Sequence, residues 1–481
     1  MEKLIIGNDE YRDKVRACWY GKNIGGTLGE KWETKRHTHA FTFYEPLPTN
    51  AAPNDDLDLQ LIWLKMLEDK GVDPSLRTFA EYWDRYGAAY PWNEYGFFMR
   101  NYTRGLLPPV AGVFENYFID EEGSPIRSEI WACIHPGDPQ AAARMAWKDS
   151  SVDHAGGEGL YGEIFLAALE AAAFVEKDPL TLIRIGLNSI PLSSHLARCV
   201  REAMWCHAQG LTWGEARERL VQRFAHIQPC SAVINSGFII VGWLYGKDFG
   251  DRLCKAVNCG YDTDCTAASL GSILGIIDGM EGIPEAWIKP IGGKIVLHKY
   301  TGDCNPPKTI DELTERTVAL AKQATDPKES IGFGPKTALP SDLASRLFEN
   351  RITTAYWRLD IHAGVENVGG KDLWLHYGGE PVLTPGVARE VWVTEDGERA
   401  PSAAVEMKAP AGWSCTAKGG GRFLLFSKGP VADRNLVTVS VGGQTASFTL
   451  LGPGEAKGFG AGDNVEKCPK CWARKEACIC K

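Results

Sequence analysis

The pattern of apolar and polar residues divides the chain into a long helical part and a shorter part that alternates like β-strands. Before residue 325, apolar residues recur every three or four positions, which predicts helices over 11–26, 58–69, 141–149, 159–178, 192–210, 212–224 and 265–280. After about residue 355, short alternating runs are separated by turn residues, over 389–401, 403–415, 421–429 and 435–452. This second pattern is typical of an antiparallel β-sandwich.

We therefore predict a multidomain fold in which an all-α helical bundle precedes a small C-terminal β-sandwich and a Cys-rich tail. The predicted parts are a helical domain, a linker rich in Pro and Ser, a sandwich, and a Gly-rich segment with the tail, over 1–325, 326–355, 356–452 and 453–481. In the last predicted helix, small residues recur every four positions, at Ala267, Gly271, Gly275 and Gly279. Another helix can approach this bare face closely.

Composition and charge narrow the classes of function. The 481 residues are 44% hydrophobic, so the chain can bury a large core, and the net charge is −9 without a long basic run. We therefore expect no extended nucleic-acid surface. The most membrane-like run, 267–277, is shorter than the roughly 20 residues of a membrane span. With no secretory apolar stretch at the N-terminus, we interpret the chain as a cytoplasmic protein without a membrane partner.

Two acidic clusters lie where helices are predicted to begin. Asp55, Asp56 and Asp58 stand beside Asn54, and a second cluster some 200 residues later contains Asp262 and Asp264. A helix start needs only one capping oxygen, so exposed caps explain either cluster alone better than both together. If the clusters meet in the fold, their charges repel unless they are protonated or bound to hard divalent cations.

Four stretches resemble the motifs of the ADP-ribosylglycohydrolase family, in the same order and at similar spacing. "NDDLDLQLIWL" and "GYDTDCTAASLGSILG" resemble its two metal-binding signatures. "YGKNIGGTLGEKWE" is similar to its N-terminal Gly-rich helix, which ends in a glutamate, here Glu33. "KDSSVDHAGGEGLYGEIFLAALEAAAF" is similar to its central segment, with His154 as the histidine. The resemblance covers residues 10 to 300.

The resemblance implies a hydrolase with two Mg²⁺ or Mn²⁺ ions, in which a metal-activated water cleaves the C1 glycosidic bond of an ADP-ribosyl or related ribosyl substrate. The substrate is a small molecule or is attached to a protein. Glu33, Asp55 and Asp56 are the implied catalytic residues, with Glu33 as base or water-positioning group. The implied metal ligands are Asn54, Asp55, Asp56, Asp262, Asp264 and Cys265.

Three residues depart from the family pattern. Asn54 replaces the usual Thr or Ser, and its amide oxygen can still reach a metal. Cys265 replaces the usual Thr and is a poor ligand for a hard ion. Gly26 stands where many members carry Asp. These departures put ADP-ribosyl-arginine, the best-known substrate of the family, in doubt.

Three further residues are candidates for substrate binding. His154 is expected to contact a phosphate or ribose, with a buried structural histidine as the alternative. Tyr161 and Tyr261 offer surfaces on which an adenine ring can stack, with a place in the core as the alternative.

The tail contains four closely spaced cysteines, Cys468, Cys471, Cys478 and Cys480. Four thiolates are enough for one structural Zn²⁺, and a reactive tail without metal is the alternative.

Two other functions remain open from the sequence. The chain is either a non-catalytic protein that binds ADP-ribose or a nucleotide, or a carbohydrate-processing enzyme that uses the sandwich to bind sugar. The intact aspartates favour an enzyme over a binding protein.

Overall fold

The computed structural model describes residues 2–325, 328, 330–335, 337–410 and 412–454. These residues form two compact units, each discontinuous in sequence. The first unit comprises the residues up to Asp73, Asp120–Trp147 and Glu158–Trp357. The second comprises Pro74–Ile119, Lys148–Gly157 and the described residues from Arg358 onward.

Helices dominate the first unit, and three helices, α3 to α5, belong to the second. In chain order the helices are α1 Asn8–Gly29, α2 Asp55–Lys70, α3 Leu76–Tyr82, α4 Asn93–Thr103, α5 Val110–Val113, α6 Ser128–Ile134, α7 Pro139–Ser150, α8 Glu158–Ala173, α9 Pro179–Asn188, α10 His195–Ala208, α11 Trp213–Phe224, α12 Ala232–Tyr245, α13 Phe249–Asn258, α14 Thr263–Asp278, α15 Glu285–Ile288, α16 Ile310–Thr325, α17 Leu343–Leu347 and α18 Arg351–Tyr356. All seven helices predicted from the apolar periodicity are present.

The strands form three sheets, whose members are β1 Leu4–Gly7, β2 Ile331–Gly334, β3 Ala363–Val368, β4 Lys371–His376, β5 Arg389–Glu395, β6 Val405–Lys408, β7 Ser414–Gly419, β8 Arg422–Phe426, β9 Arg434–Val441 and β10 Gln444–Leu451. In the first unit, β1 pairs with β2 in parallel. In the second unit, one sheet has the order β3-β4-β5-β8-β7 and the other the order β10-β9-β6. Both are antiparallel.

Alternating burial explains why the C-terminal segments form strands. On β9, Val437 and Val439 are fully buried, whereas the preceding residue, Leu436, is exposed. Gly442 and Gly443, with φ of +58° and +84°, form the two-residue turn from β9 to β10. Positive φ at both positions suits the twist of an antiparallel hairpin. The predicted fold class, a helical part followed by strands in sheets, is therefore confirmed.

The segment predicted as a linker, 326–355, contains regular structure among its described residues. Strand β2, helix α17 and the start of α18 lie in it. The sequence signal of a linker missed the parallel pairing of β2 with the N-terminal strand β1, because that pairing joins segments more than 300 residues apart. The predicted domain boundaries stay predictions, and the cysteine tail lies outside the described residues.

Among the described residues, no helix has both the length and the hydropathy that a membrane crossing requires.

Helices α1 and α14 pack with their backbones in contact. A Cβ atom on Gly21 would lie 2.0 Å from the carbonyl oxygen of Gly271, and one on Gly25 would lie 2.1 Å from that of Ala267. The same closeness holds between Gly275 and Ala17, at 2.3 Å. The predicted small-residue face therefore has its partner in α1. Because the obstructing atoms belong to backbone, neither helix can yield by rotating a side chain.

Replacing Gly271 by Ala tests this packing. Its new Cβ would lie 2.2 Å from the carbonyl oxygen of Gly21, so the helices must separate. We expect Gly271→Ala to lower the free energy of unfolding by about 1–3 kcal/mol, the usual cost of overpacking a core, measured by urea denaturation.

Gly214→Ala is the matched control, since this glycine lies in helix α11 with nothing within 4 Å of its Cβ position. We expect it to raise the free energy of unfolding by about 0.4–1 kcal/mol. Equal effects of the two substitutions would contradict a backbone contact between α1 and α14.

Candidate metal centre

The two acidic clusters lie at helix N-termini but do not cap them. Helix α2 begins after Asn54 and helix α14 after Asp262, and neither residue makes a side-chain capping hydrogen bond. Asp56, Asp262 and Asp264 are only 0%, 1% and 5% exposed. The interpretation of these carboxylates as exposed helix caps therefore does not hold.

The fold brings the two clusters together in the first unit. Carboxylate oxygens of Asp56 and Asp264 and the Cys265 sulfur all lie within 4.8 Å of one another. A second group, formed by Glu33, Asp262 and Cys230, meets the same limit. We call these groups the Asp56 triad and the Glu33 triad. The Asp56 triad unites residues more than 200 positions apart in sequence.

The donor atoms of this site fit a divalent cation. Asp262 Oδ1 and Asp264 Oδ1 are buried and accept no hydrogen bond from the described residues, and the same is true of the amide oxygen of Asn54. Buried carboxylate oxygens ordinarily have partners, because burying a charge without one is costly. Carboxylate and amide oxygens are ligands that hard divalent cations prefer.

Burial first, and then the neighbouring carboxylates, raise the pKa of the carboxyl groups in the centre. Burial, with Asp262 and Asp55 next in effect, raises the pKa of Glu33 to about 8. Burial raises the pKa of Asp56 to about 6, although Lys22 opposes the shift. Burial, followed by the neighbouring carboxylates, also raises the pKa of Asp264 well above its ordinary value. Burial and crowding therefore disfavour the charged forms of these groups unless a cation lies beside them.

A buried lysine fixes the position of Asp56. Lys22 Nζ, on α1, lies 3.2 Å from Asp56 Oδ1 and 2.8 Å from Glu129 Oε1. Burial lowers the pKa of Lys22, but Glu129 and Asp56 more than offset this and raise it above the ordinary value. Gln60 donates to Glu129 Oε2 at 2.7 Å and to the Asp56 carbonyl oxygen at 2.8 Å. The contact with Lys22 and the hydrogen bond from Gln60 thus hold Asp56 in position.

Asp58, the third acid of the first cluster, serves a different purpose. Its Oδ2 accepts the backbone N–H of His298 at 2.5 Å and the Thr301 hydroxyl at 3.0 Å. Burial raises the pKa of Asp58 to about 8 despite these bonds. Asp58 therefore anchors the segment between α15 and α16 to the start of α2, which explains why the cluster contains more acids than a cation site needs.

Hydrogen bonds fasten the segment after Glu33 to the segment before Asp262. Glu33 follows the 3₁₀ turn Glu30–Trp32 at the end of α1. The Thr34 N–H donates to the Tyr261 carbonyl at 2.7 Å, and the Tyr261 N–H donates to the Lys35 carbonyl at 2.8 Å. The partly exposed Glu33 is thereby kept beside the buried aspartates.

Tyr261 lies in the packing around the centre. It is 4% exposed, its ring is 5.5 Å from that of Phe238, and the Arg217 guanidinium lies 5.7 Å from its centroid. Arg217 also donates to the carbonyl oxygens of Cys259 and Arg36. Tyr261 thus occupies the core position that was the alternative in the sequence-based prediction, and its stacking against a substrate stays a prediction.

The other two predicted substrate-binding residues are not members of the triads. His154 belongs to the second unit, is fully buried, and has its Nδ1 2.7 Å from Asp153 Oδ1. Tyr161 is on α8 in the first unit, where burial and then Glu158 raise the pKa of its phenol. The substrate contacts of His154 and Tyr161 stay predictions.

Two glutamates and one cysteine near the centre were missed from the sequence. Burial and then Asp262 raise the pKa of Glu121 to about 8, and they also raise that of the fully buried Glu122. The Glu122 N–H donates to the Cys230 carbonyl at 2.8 Å, which places this glutamate beside the Glu33 triad. The aspartates were recognised because each acidic cluster leads directly into an apolar helix. Glu121, Glu122 and Cys230 do not belong to such a cluster, so this pattern could not reveal them.

The departure at Gly26 has a steric explanation. A Cβ on Gly26 would lie 2.2 Å from Asn54 Nδ2 and 2.9 Å from its amide carbon. The space that a side chain at position 26 would need is therefore occupied by the Asn54 amide. These two departures from the family pattern are linked by a single contact.

Together, a helical unit and a buried group of carboxylates at two helix starts define a helical protein with a candidate cation site. A family model described as ADP-ribosylglycohydrolase matches residues 7–327, more than half of the chain. The chain therefore belongs to the ADP-ribosylglycohydrolase family. Membership of this family supports hydrolase activity on ADP-ribosyl-type substrates in general.

One solved structure is described as an ADP-ribosylglycohydrolase-related protein complex. It is 19% identical in sequence, and the match covers 66% of this chain and 100% of that chain with a TM-score of 0.42. No curated protein matches the chain.

The raised pKa values of the carboxyl groups predict how stability depends on pH. A carboxyl whose folded pKa is about 8, as for Glu33, contributes stability below its unfolded value near 4. That contribution is lost as the pH rises toward and through 8, because the unfolded chain releases the proton first. We expect chelator-treated protein to unfold at lower urea concentration at pH 8 than at pH 5, and saturating Mn²⁺ to reduce this difference.

The Glu33→Gln variant should show a shallower decline, since one titrating group is removed. Stability that rises from pH 5 to pH 8 in the presence of chelator would contradict the crowding of carboxyl groups described above.

Proposed function

We propose that the chain is a cation-dependent glycohydrolase that cleaves the C1 glycosidic bond of an ADP-ribosyl or related ribosyl group. The observation that carries the proposal is the convergence of Asp56 and Asp264 within 4.8 Å, although they lie at separate helix starts. Asp262 and Asp264 each have a buried carboxylate oxygen that accepts no hydrogen bond from the described residues. A bound cation would supply the missing partner of these oxygens. Family membership supports the reaction type.

In this proposal, Asn54, Asp55, Asp56, Asp262 and Asp264 hold two divalent cations, and the resemblance favours Mg²⁺ or Mn²⁺. Asp55 supports this role through its electrostatic interaction with Glu33, Asp56 and Asp264. Such cations, when bound, orient the two ribose hydroxyls and lower the pKa of water. Lys22 keeps Asp56 in place through its contact of 3.2 Å.

Glu33 is the proposed proton acceptor. Glu33 is partly exposed, unlike Asp56, Asp262 and Asp264, so the attacking water can reach its carboxyl group. Bound cations favour its charged form, because positive charge nearby lowers a carboxyl pKa. The Glu33 carboxylate then takes a proton from the water as oxygen attacks C1 and the aglycone leaves. The backbone bonds of Thr34 and Lys35 to Tyr261 keep this carboxylate in place.

An assay of full-length protein tests the proposal. Metal-free protein is incubated with ADP-ribosylated arginine, serine and DNA ends and with free ribosides, each with and without Mg²⁺ or Mn²⁺. We expect release of ADP-ribose or ribose from at least one substrate, only when a cation is present. We also expect Glu33→Gln to lower kcat by roughly 10²–10⁴-fold, as for loss of a general base, with KM little changed.

Glu30→Gln is the matched control, because Glu30 is exposed and lies in the turn just before Glu33. Its kcat should equal that of the natural protein. Tight binding of ADP-ribose without turnover of any substrate would instead support the non-catalytic binding protein. Turnover that persists after complete removal of divalent cations would contradict the proposed centre.

A further inference from the structure

Each triad of the centre contains one cysteine sulfur among carboxylate oxygens. Cys265 belongs to the Asp56 triad and Cys230 to the Glu33 triad, with all ligand atoms of each triad within 4.8 Å of one another. We infer that both sulfurs are metal ligands, and that the centre therefore selects borderline cations, such as Mn²⁺, Fe²⁺, Co²⁺ or Zn²⁺, over Mg²⁺. This inference rests on the proposed cation centre and specifies its ligands and its metal class.

Backbone contacts hold Cys230 in position. Its carbonyl oxygen accepts the Glu122 N–H at 2.8 Å, and the next residue, Ser231, pairs with Glu121 in an isolated β-bridge. The Cys230 sulfur lies 3.7 Å from Glu33 Oε1. The residue is thus presented to the triad by a fixed segment at the start of α12.

Cys265 is brought to the Asp56 triad by its position at the start of a helix. It lies in the first turn of α14, immediately after Asp264, and is 9% exposed. Its electrostatic neighbours are carboxyl groups, among them those of Asp262, Asp56 and Asp264. A cysteine that only fills space is ordinarily surrounded by apolar groups. The surroundings of both sulfurs are instead those of a ligand set.

Coordination chemistry connects these sulfurs with metal choice. Mg²⁺ takes oxygen ligands and retains several waters, whereas thiolate sulfur favours softer cations. The Asp56 triad offers two carboxylates and one thiol. In the Glu33 triad, Asp262 and Cys230 offer one carboxylate and one thiol beside the proposed base Glu33. Such mixed sets suit a borderline ion. Formation of a metal–sulfur bond releases the thiol proton to the buffer, since thiolate is the binding form. No oxidation or reduction is involved.

Cobalt spectroscopy tests the inference without measuring activity. The protein is the full-length chain with Cys468, Cys471, Cys478 and Cys480 all replaced by serine, because the tail thiols would otherwise bind the probe. Co²⁺ is titrated into this metal-free protein, binding is measured by equilibrium dialysis, and the near-ultraviolet spectrum is recorded. A cobalt–thiolate bond gives a charge-transfer band there that carboxylate ligands do not give.

We expect bound Co²⁺ to produce this band. Cys230→Ser and Cys265→Ser should each remove part of the band, and the double variant should remove all of it. Cys254→Ser is the matched control, since Cys254 is a buried thiol of the same unit that belongs to neither triad, and it should leave the band unchanged. Thermal unfolding of metal-free protein checks that each variant is folded, and Cys→Ala variants replace any serine variant that is not.

The outcomes separate this inference from the proposed function. Bound Co²⁺ without the band, or a band that survives in the double variant, would overturn the role of the sulfurs and leave a cation centre made of oxygen ligands. Failure to bind Co²⁺ at all would overturn the cation centre as well.

A selectivity measurement gives an independent test. In the same background, Cys265→Thr should shift the ratio of Mg²⁺ to Mn²⁺ affinities toward Mg²⁺ by roughly tenfold or more, comparable to losing a supporting partner of a metal ligand. An unchanged ratio, measured by competition dialysis, would show that Cys265 is not a ligand.

Discussion

The backbone contact between α1 and α14 is the constraint on which the centre depends. Gly21 and Gly271 approach so closely that a Cβ on either would collide with the other's backbone. Helix α1 brings Lys22 and, just beyond its end, Glu33. Helix α14 brings Asp264 at its start. Because the two helices are in backbone contact, Glu33 and Asp262, more than 200 positions apart in sequence, lie in the same triad. A side chain inserted between the helices would move these residues apart.

This closeness creates an electrostatic cost that the rest of the site reduces. Several carboxyl groups are buried together, and burial raises the pKa of each, to about 8 for Glu33 and well above the ordinary value for Asp264. Lys22 offsets part of the charge by lying between Asp56 and Glu129. The remaining unpartnered oxygens require protons at low pH or cations at neutral pH. The same burial that destabilises the metal-free protein therefore prepares it to bind a cation.

Local patterns in the sequence predicted the helices, the strands and the clustered aspartates. The other residues of the centre come from distant segments and could be identified only from the fold. The small-residue face at Gly271 predicted a close helix neighbour, and the structure identifies α1 as that neighbour. The acidic clusters predicted Asp56 and Asp264 because each precedes an apolar helix. Cys230 and Glu122 lie in loops without periodicity, so only the fold could bring them to the centre. Tyr261 shows the converse, since an aromatic beside a motif proved to be part of the packing.

The central claim is that the starts of α2 and α14 place Asp56 and Asp264 around a shared cation. Anomalous diffraction from crystals of the full-length protein soaked in Mn²⁺ tests it most directly, because manganese is located without reference to activity. The account predicts an anomalous peak within coordination distance, about 2.0–2.6 Å, of carboxylate oxygens from both helix starts. Ordered, unoccupied aspartates with manganese bound elsewhere, or with no anomalous peak at all, would contradict it.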